Sequence, residues 1–143
     1  YQIKIAQGEK LNLKQKEISF KGHILEFRIN AENPMNQFSP SPGVLEHYTP
    51  PGGPHVRVDS SCYGGYRIPP NYDSMIAKLI VKGRTREEAI RHAKRALREF
   101  HIAGVHTTIP FHQYMLDDEK FLTNDYTINY VDHLLAEGCN FTR

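Results

Sequence analysis

Apolar and polar residues alternate most clearly in the segment His23–Asn30 (HILEFRIN). Leu25, Phe27 and Ile29 occupy every second position, and successive side chains of a strand point to opposite faces, so these three would share one buried face. Three further apolar segments follow, with proline- and glycine-rich turns but no helical pattern between them. They are residues 44–48 (VLEHY), the valines on either side of Arg57, and residues 75–82 (MIAKLIVK). The pattern predicts four antiparallel strands.

The periodicity changes to that of an amphipathic helix after Gly83. Thr85 and Glu88 have the spacing of a capping box, which marks the first turn of a helix. Apolar residues then recur every three or four positions, as one face of a helix requires. This predicted face comprises Ala89, Ile90, Ala93, Ala96, Leu97 and Phe100. Gly104 is predicted to end the helix.

Three shorter segments also have helical patterns. Residues 1–8 are typical of the last turns of a helix that ends at Gly8. A second helix is predicted to begin near Pro110, since proline suits a first helical position, and a third follows Thr127 and ends before Gly138. The residues predicted to face the core are Phe111, Tyr114 and Met115 in the second helix, and Ile128, Val131, Leu134 and Leu135 in the third.

Strands followed by helices predict an α+β fold, in which helices pack on one face of an antiparallel β-sheet. A length of 143 residues, with 39% hydrophobic and 24% charged residues, fits one globular domain. The formal net charge of +2 does not favour a nucleic-acid partner, and the longest apolar run is too short for a membrane span. The two cysteines lie far apart in the sequence, which predicts a reduced, cytoplasmic chain. The histidines are scattered, so no metal site is predicted. The start at Tyr1 predicts a piece of a longer protein.

The sequence contains no complete catalytic site. It has neither a glycine-rich phosphate loop followed by Lys and Ser/Thr nor a G-x-S-x-G elbow, and the consecutive acids 117–119 are typical of a turn or a helix cap. The candidate residue is Arg57, which lies between Val56 and Val58. Alternation would place Arg57 with His55 and Asp59 on the opposite face of the strand. That face is either a solvated edge or a binding site, and the segment alone leaves both open.

Four longer motifs occur in order: GHILEFRINAENP, FSPSPGVLEHYTPPGGPHVRVDS, YGGYRIPPNYDSMIAKLIVKGRTREEAI and LREFHIAGVHTTIPF. Together they resemble the C-terminal portion of the biotin carboxylases, the ATP-grasp ligases that carboxylate biotin. The resemblance implies a biotin carboxylase C-terminal domain of the barrel-sandwich-hybrid-like kind. It places the end of the ATP-grasp domain and a linker at 1–20, the C-terminal domain at 21–137 and a tail at 138–143.

The resemblance also implies a role for Arg57. The arginine that ends the family's GG-x-x-VR motif matches this residue, and in the family it binds bicarbonate and the ureido oxygen of biotin. Biotin is carried on the biotin carboxyl carrier protein, and ATP and magnesium bind outside this segment, as do the catalytic residues. The implied partners are a second copy of the chain, the carrier protein and the carboxyltransferase subunits. The PSPG and IPPNYDSMIAKLI forms are more similar to the acetyl-CoA carboxylase of bacterial fatty acid synthesis than to pyruvate or propionyl-CoA carboxylases.

A second hypothesis treats the chain as a non-catalytic dimerisation or interaction module. Arg57 would then be an ordinary surface residue, and the helix that follows Thr85 would bind a partner through its basic outer face. That face comprises Arg86, Arg91, Lys94, Arg95 and Arg98.

Overall fold

A computed structural model describes residues 1–141 of the chain; residues 142 and 143 of the predicted tail lie outside the described residues. The strands are β1 (His23–Asn30), β2 (Glu32–Asn33), β3 (Ser39–Pro40), β4 (Gly43–Val44), β5 (His47–Thr49), β6 (Val56–Asp59), β7 (Arg67–Ile68), β8 (Met75–Gly83) and β9 (His101–Ala103). The helices are α1 (Gln2–Ala6), α2 (Arg86–Glu99), α3 (Ile109–Met115), α4 (Glu119–Thr123) and α5 (Tyr130–Ala136). Short 3-10 turns occur at Gln15–Glu17 and Pro34–Asn36.

The main sheet has three antiparallel strands in the order β1-β8-β6. Phe27 of β1 and Val58 of β6 both lie opposite Leu79 of β8. Residues directly opposite one another share a face, so these side chains form one apolar layer. Leu79 and Val81 in the central strand are fully buried. The prediction of strands at His23–Asn30, around Arg57 and at 75–82 is confirmed.

Helix α2 covers this apolar layer by packing on β8 and β1. Its N-cap is Thr85, whose hydroxyl accepts a hydrogen bond from the amide of Glu88 at 3.2 Å. The carboxylate of Glu88 accepts in return from the amide of Arg84, one residue before the cap. The apolar positions predicted for the helix are all buried, including Phe100 just beyond its end. The α+β prediction, with helices on one face of an antiparallel sheet, is therefore confirmed.

The segment 44–48 does not form the single strand that the sequence predicts. Its two ends belong to separate ribbons, because β4 pairs with β7 and β5 pairs with β9. Leu45 between them is fully buried, so the chain turns there to place this side chain in the core. The fourth predicted strand is consequently not part of the main sheet.

The predicted end of the long helix at Gly104 is wrong by five residues. Helix α2 ends at Glu99, and Phe100 takes an extended conformation so that residues 101–103 can pair with β5 as strand β9. Gly104 instead follows β9, with φ of +97°. A Cβ built there would lie 2.1 Å from the carbonyl oxygen of Val44, so glycine permits this close approach of two backbones.

The C-terminal helices pack as a small second cluster that includes Met115, Leu134 and Phe141. The predicted helix near Pro110 is confirmed as α3. The prediction that the acids 117–119 form a turn or a helix cap is also confirmed, since Asp118 is the N-cap of α4. Helix α5 begins at Tyr130, later than predicted, and Ile128 is 96% exposed instead of facing the core. No helix among the described residues 1–141 is long and apolar enough to cross a bilayer.

Candidate anion-binding site at Arg57

Arg57 lies on the open face of the main sheet. In β6, Val56 and Val58 are partly buried on the side packed against the core, whereas Arg57 and Asp59 are exposed. The Arg57 side chain is 73% exposed. The predicted separation of valines from charged residues is therefore confirmed, and the guanidinium is accessible to a ligand.

Arg57 and Asp59 form a two-pronged ion pair within one strand. The Nε of Arg57 donates to Oδ1 of Asp59 at 2.8 Å, and its Nη2 donates to Oδ2 at 2.9 Å. These hydrogen bonds lower the pKa of Asp59 and raise the pKa of Arg57, and Lys78 lowers the Asp59 pKa further. Both groups are consequently ionised around neutral pH.

A row of charged residues crosses the open face beside this pair. Asp59 lies opposite Lys78 of β8, and Lys78 lies opposite Arg28 of β1. Arg28 in turn approaches Asp73, with 3.6 Å between Nη2 and Oδ2. In the neighbouring row Arg57 lies opposite Ile80, so no cation stands directly across from it on β8. The residue directly across the sheet from Arg57 is therefore apolar.

The turn before β6 is fixed to helix α2. His55 has φ of +65°, which interrupts the alternation of the strand, and its ring stacks on His92 of α2 at 5.3 Å. The prediction that His55 shares a face with Arg57 is therefore wrong. The carbonyl of Gly52 accepts from Nη1 of Arg95 at 3.3 Å. These contacts hold the backbone that leads into the Arg57 strand.

Three of the five basic residues of α2 are engaged within the chain, which weakens the hypothesis that this face binds a partner. The pairs are Arg86 with the carbonyls of Phe121 and Leu122, Lys94 with Asp117, and Arg95 with Glu99. Arg91 and Arg98 remain exposed. The basic helix therefore acts in large part as an anchor for α4 and for the turn before β6.

Replacing Arg86 with glutamine is expected to destabilise the chain by about 1 to 2 kcal/mol, since it removes charge-assisted hydrogen bonds between α2 and α4. Nη1 of Arg86 lies 2.7 Å from the carbonyl oxygen of Leu122, and its guanidinium lies 5.0 Å from the centre of the Phe121 ring. Urea unfolding measures the change. The exposed Arg91→Gln is the matched control, with an expected change below about 0.5 kcal/mol. Equal losses in both variants would contradict the anchoring role.

The contact between Asp59 and Arg57 is the feature of this site that the sequence did not reveal. The position of Asp59 two residues after Arg57 indicated a shared face, but many such pairs on exposed strands do not meet. Only the side-chain geometry shows the two-pronged contact. Within residues 1–141, no group of three or more His, Cys, Asp or Glu side chains is arranged to hold a metal ion.

Comparison with known proteins gives consistent matches. The family model described as the biotin carboxylase C-terminal domain matches residues 26–133. Biotin carboxylase 1 of Bacillus subtilis is 54% identical over 131 residues, which cover 92% of this chain and 29% of that protein. A pyruvate carboxylase subunit of Methanothermobacter thermautotrophicus is 53% identical over 131 residues, with 92% and 27% covered. The chain thus spans less than a third of the length of these relatives.

Solved structures show the same fold. The biotin carboxylase domain dimer of Hydrogenobacter thermophilus 2-oxoglutarate carboxylase, in complex with MgADP, ADP and bicarbonate, aligns with a TM-score of 0.91 at 42% identity. The alignment covers 99% of this chain and 31% of that one. Biotin carboxylase from Campylobacter jejuni aligns with a TM-score of 0.85 at 44% identity, covering 92% of this chain and 29% of that one.

Proposed function

This chain belongs to the biotin carboxylase C-terminal domain family, and from that premise we propose that it supplies the bicarbonate- and biotin-binding arginine of an ATP-dependent biotin carboxylase. The observation that supports this role is the exposed guanidinium of Arg57, held by a strand on the open face of the sheet. In the proposed enzyme, the groups that bind ATP and magnesium and the remaining catalytic groups lie in other parts of the polypeptide.

Arg57 would act by stabilising negative charge. Bicarbonate is an anion, and the ureido oxygen of biotin gains negative charge when the neighbouring nitrogen loses its proton. An arginine suits both tasks because it stays cationic and offers parallel N–H donors to oxygen atoms. A donor fixed before the reaction stabilises developing charge without reorganising. The β6 backbone and the partly buried Val56 and Val58 would provide that rigidity.

The proposed partners follow from the family. They are a second copy of the chain, the biotin carboxyl carrier protein and the carboxyltransferase subunits. The second copy is proposed because the similar Hydrogenobacter biotin carboxylase domain is a dimer.

We also propose that the parent is the acetyl-CoA carboxylase of fatty acid synthesis in the cytoplasm, on the basis of the PSPG and IPPNYDSMIAKLI motifs. Overall identity does not favour either parent, since Biotin carboxylase 1 of Bacillus subtilis and the pyruvate carboxylase subunit of Methanothermobacter thermautotrophicus differ by only one percentage point in their identity to this chain. The domain would extend over 21–137.

The proposal is tested by comparing the intact protein that contains this chain with the 143-residue chain alone. The intact protein is expected to transfer labelled bicarbonate to free biotin when ATP and magnesium are supplied. The chain alone is expected to show neither this transfer nor bicarbonate-dependent ATP hydrolysis, because its candidate site provides only one charged binding group. ATP hydrolysis by the chain alone would contradict the proposed division of roles, and an inactive intact protein would contradict the function.

A further inference from the structure

We propose that Asp59 is a positioning residue, which holds one edge of the Arg57 guanidinium so that the other edge is presented to an oxyanion. The inference rests on the proposed function of Arg57 and assigns a role to a residue that does not itself touch the substrate.

The geometry of the pair defines which donors remain available. A guanidinium has five N–H groups in one plane, and they form two usable edges: Nε with Nη2, and Nη1 with Nη2. Asp59 occupies the first edge through both of its carboxylate oxygens. Among residues 1–141, no other side-chain hydrogen bond of Arg57 is present. The second edge therefore keeps two parallel N–H donors, a spacing that matches two oxygens of bicarbonate or of a carboxylate.

Asp59 is ionised and lies on the same face as Arg57, both of which a positioning group requires. It follows Arg57 by two residues on the same strand, so both side chains leave the sheet on one face. Lys78 lies opposite Asp59 in the antiparallel register, and its charge favours the ionised carboxylate. The carboxylate is thus hydrogen-bonded to Arg57 along its own strand and feels the positive charge of Lys78 across the sheet.

The pair is poorly suited to a purely stabilising role. The Arg57 and Asp59 side chains are 73% and 44% exposed, and exposed ion pairs contribute little net stability. The contact instead restricts the conformations of the Arg57 side chain before a ligand binds. Without it, the long arginine side chain would lose conformational freedom on binding. Fixing it in advance removes that cost from binding.

A competing role for Asp59 predicts the opposite effect. If Asp59 only occupied Arg57 until bicarbonate displaced it, or only repelled the anion, removing its charge would strengthen bicarbonate binding. If Asp59 positions Arg57, removing the charge weakens binding although the site becomes more positive. The direction of the change in KM for bicarbonate therefore separates the two roles.

The test uses Asp59→Asn and Asp59→Glu in the intact carboxylase. The amide of Asp59→Asn offers only one acceptor to the guanidinium, so we expect KM for bicarbonate to rise about three- to tenfold, the equivalent of immobilising one long side chain on binding. KM for ATP and the midpoint of thermal unfolding are expected to be unchanged. Asp59→Glu keeps both oxygens and is expected to recover most of the affinity. An unchanged or lowered KM for bicarbonate in Asp59→Asn would overturn the inference, as would equal changes for both substrates.

Glu26→Gln is the matched control for charge. Glu26 lies opposite Ile80 in the same row of the open face as Arg57, and it is exposed. The substitution removes one negative charge from this face without touching the guanidinium. KM for bicarbonate is expected to stay within about twofold of wild type, because an exposed charge at this distance is largely screened by salt.

A second measurement separates this inference from the proposed function. The Arg57 Nε–H resonance of the intact protein reports rotation of the guanidinium directly by NMR. Restricted rotation is expected in wild type and fast rotation in Asp59→Asn. If rotation is restricted but Arg57→Ala leaves carboxylation unchanged, the proposed function fails and the positioning role fails with it. If Arg57→Ala is inactive while Asp59→Asn has normal kinetics or equally restricted rotation, only the positioning role fails.

Discussion

Replacing Arg57 with alanine in the intact protein, the proposed carboxylase, is expected to slow biotin carboxylation about 100-fold, a loss on the order of 3 kcal/mol in transition-state stabilisation. The estimate follows from the loss of one donor that faces developing negative charge. Because the guanidinium is exposed and its one described ion pair is with a neighbour on its own strand, removing it leaves no unpaired buried group. The fold should therefore stay intact, and the loss should appear in kcat and in KM for bicarbonate.

Two further variants make the Arg57 experiment specific. Arg57→Lys keeps the positive charge but cannot present two parallel donors, so its activity is expected to lie between wild type and alanine. Arg91→Ala removes an exposed arginine from α2, a helix that packs on the opposite face of the sheet. Carboxylation by this control is expected to be normal. Normal rates in Arg57→Ala would show that the exposed arginine is an ordinary surface residue.

Replacing Leu79 with alanine is expected to destabilise the 143-residue chain by about 3 to 4 kcal/mol. Leu79 is fully buried in the central strand of the sheet and lies between Phe27 and Val58 on the neighbouring strands. Removing its three terminal carbon atoms loses apolar burial and leaves a cavity beneath α2 that rigid strands can close only in part. Urea unfolding followed by circular dichroism gives the free energy of unfolding.

Ile24→Ala is the control for the Leu79 experiment. Ile24 lies in β1 and is 58% exposed, so the same kind of truncation should cost less than about 1 kcal/mol. A comparable loss in both variants would mean that the two faces of the sheet are equally buried. Since Val58 packs in the same layer as Leu79, destabilisation there is also expected to reduce the fraction of chains in which Arg57 is correctly held.

Local patterns in the sequence were sufficient to predict the most regular strand and the most regular helix. Alternation over eight residues identified β1 with its observed bounds, because an exposed polar side chain and a buried apolar one can alternate only in an extended chain. The cap at Thr85 and the apolar face of α2 were likewise predicted correctly. The same alternation placed Arg57 on the exposed face, and the match to the family's GG-x-x-VR motif is the basis of the role proposed for it.

Long-range pairing explains where those patterns failed. Residues 101–103 leave the helix because they pair with β5, a segment more than fifty residues earlier, and no local pattern contains that information. The same pairing divides residues 44–48 between two ribbons and places Gly104 where two backbones meet. Ile128 is another example, since a helical spacing does not specify whether a neighbouring element is present to cover it.

The sequence by itself therefore determined the α+β class and the family, and it singled out Arg57 as the candidate residue, since each depends on residue type and spacing along the chain. Only the tertiary structure decided that Asp59 occupies one edge of Arg57, that His55 turns toward α2, and that the basic helix face is largely engaged within the chain. The physical reason is that a hydrogen bond between two side chains forms or fails with differences of a few tenths of an ångström in the distance between donor and acceptor. Spacing in the sequence brings such groups near one another but does not specify whether they meet.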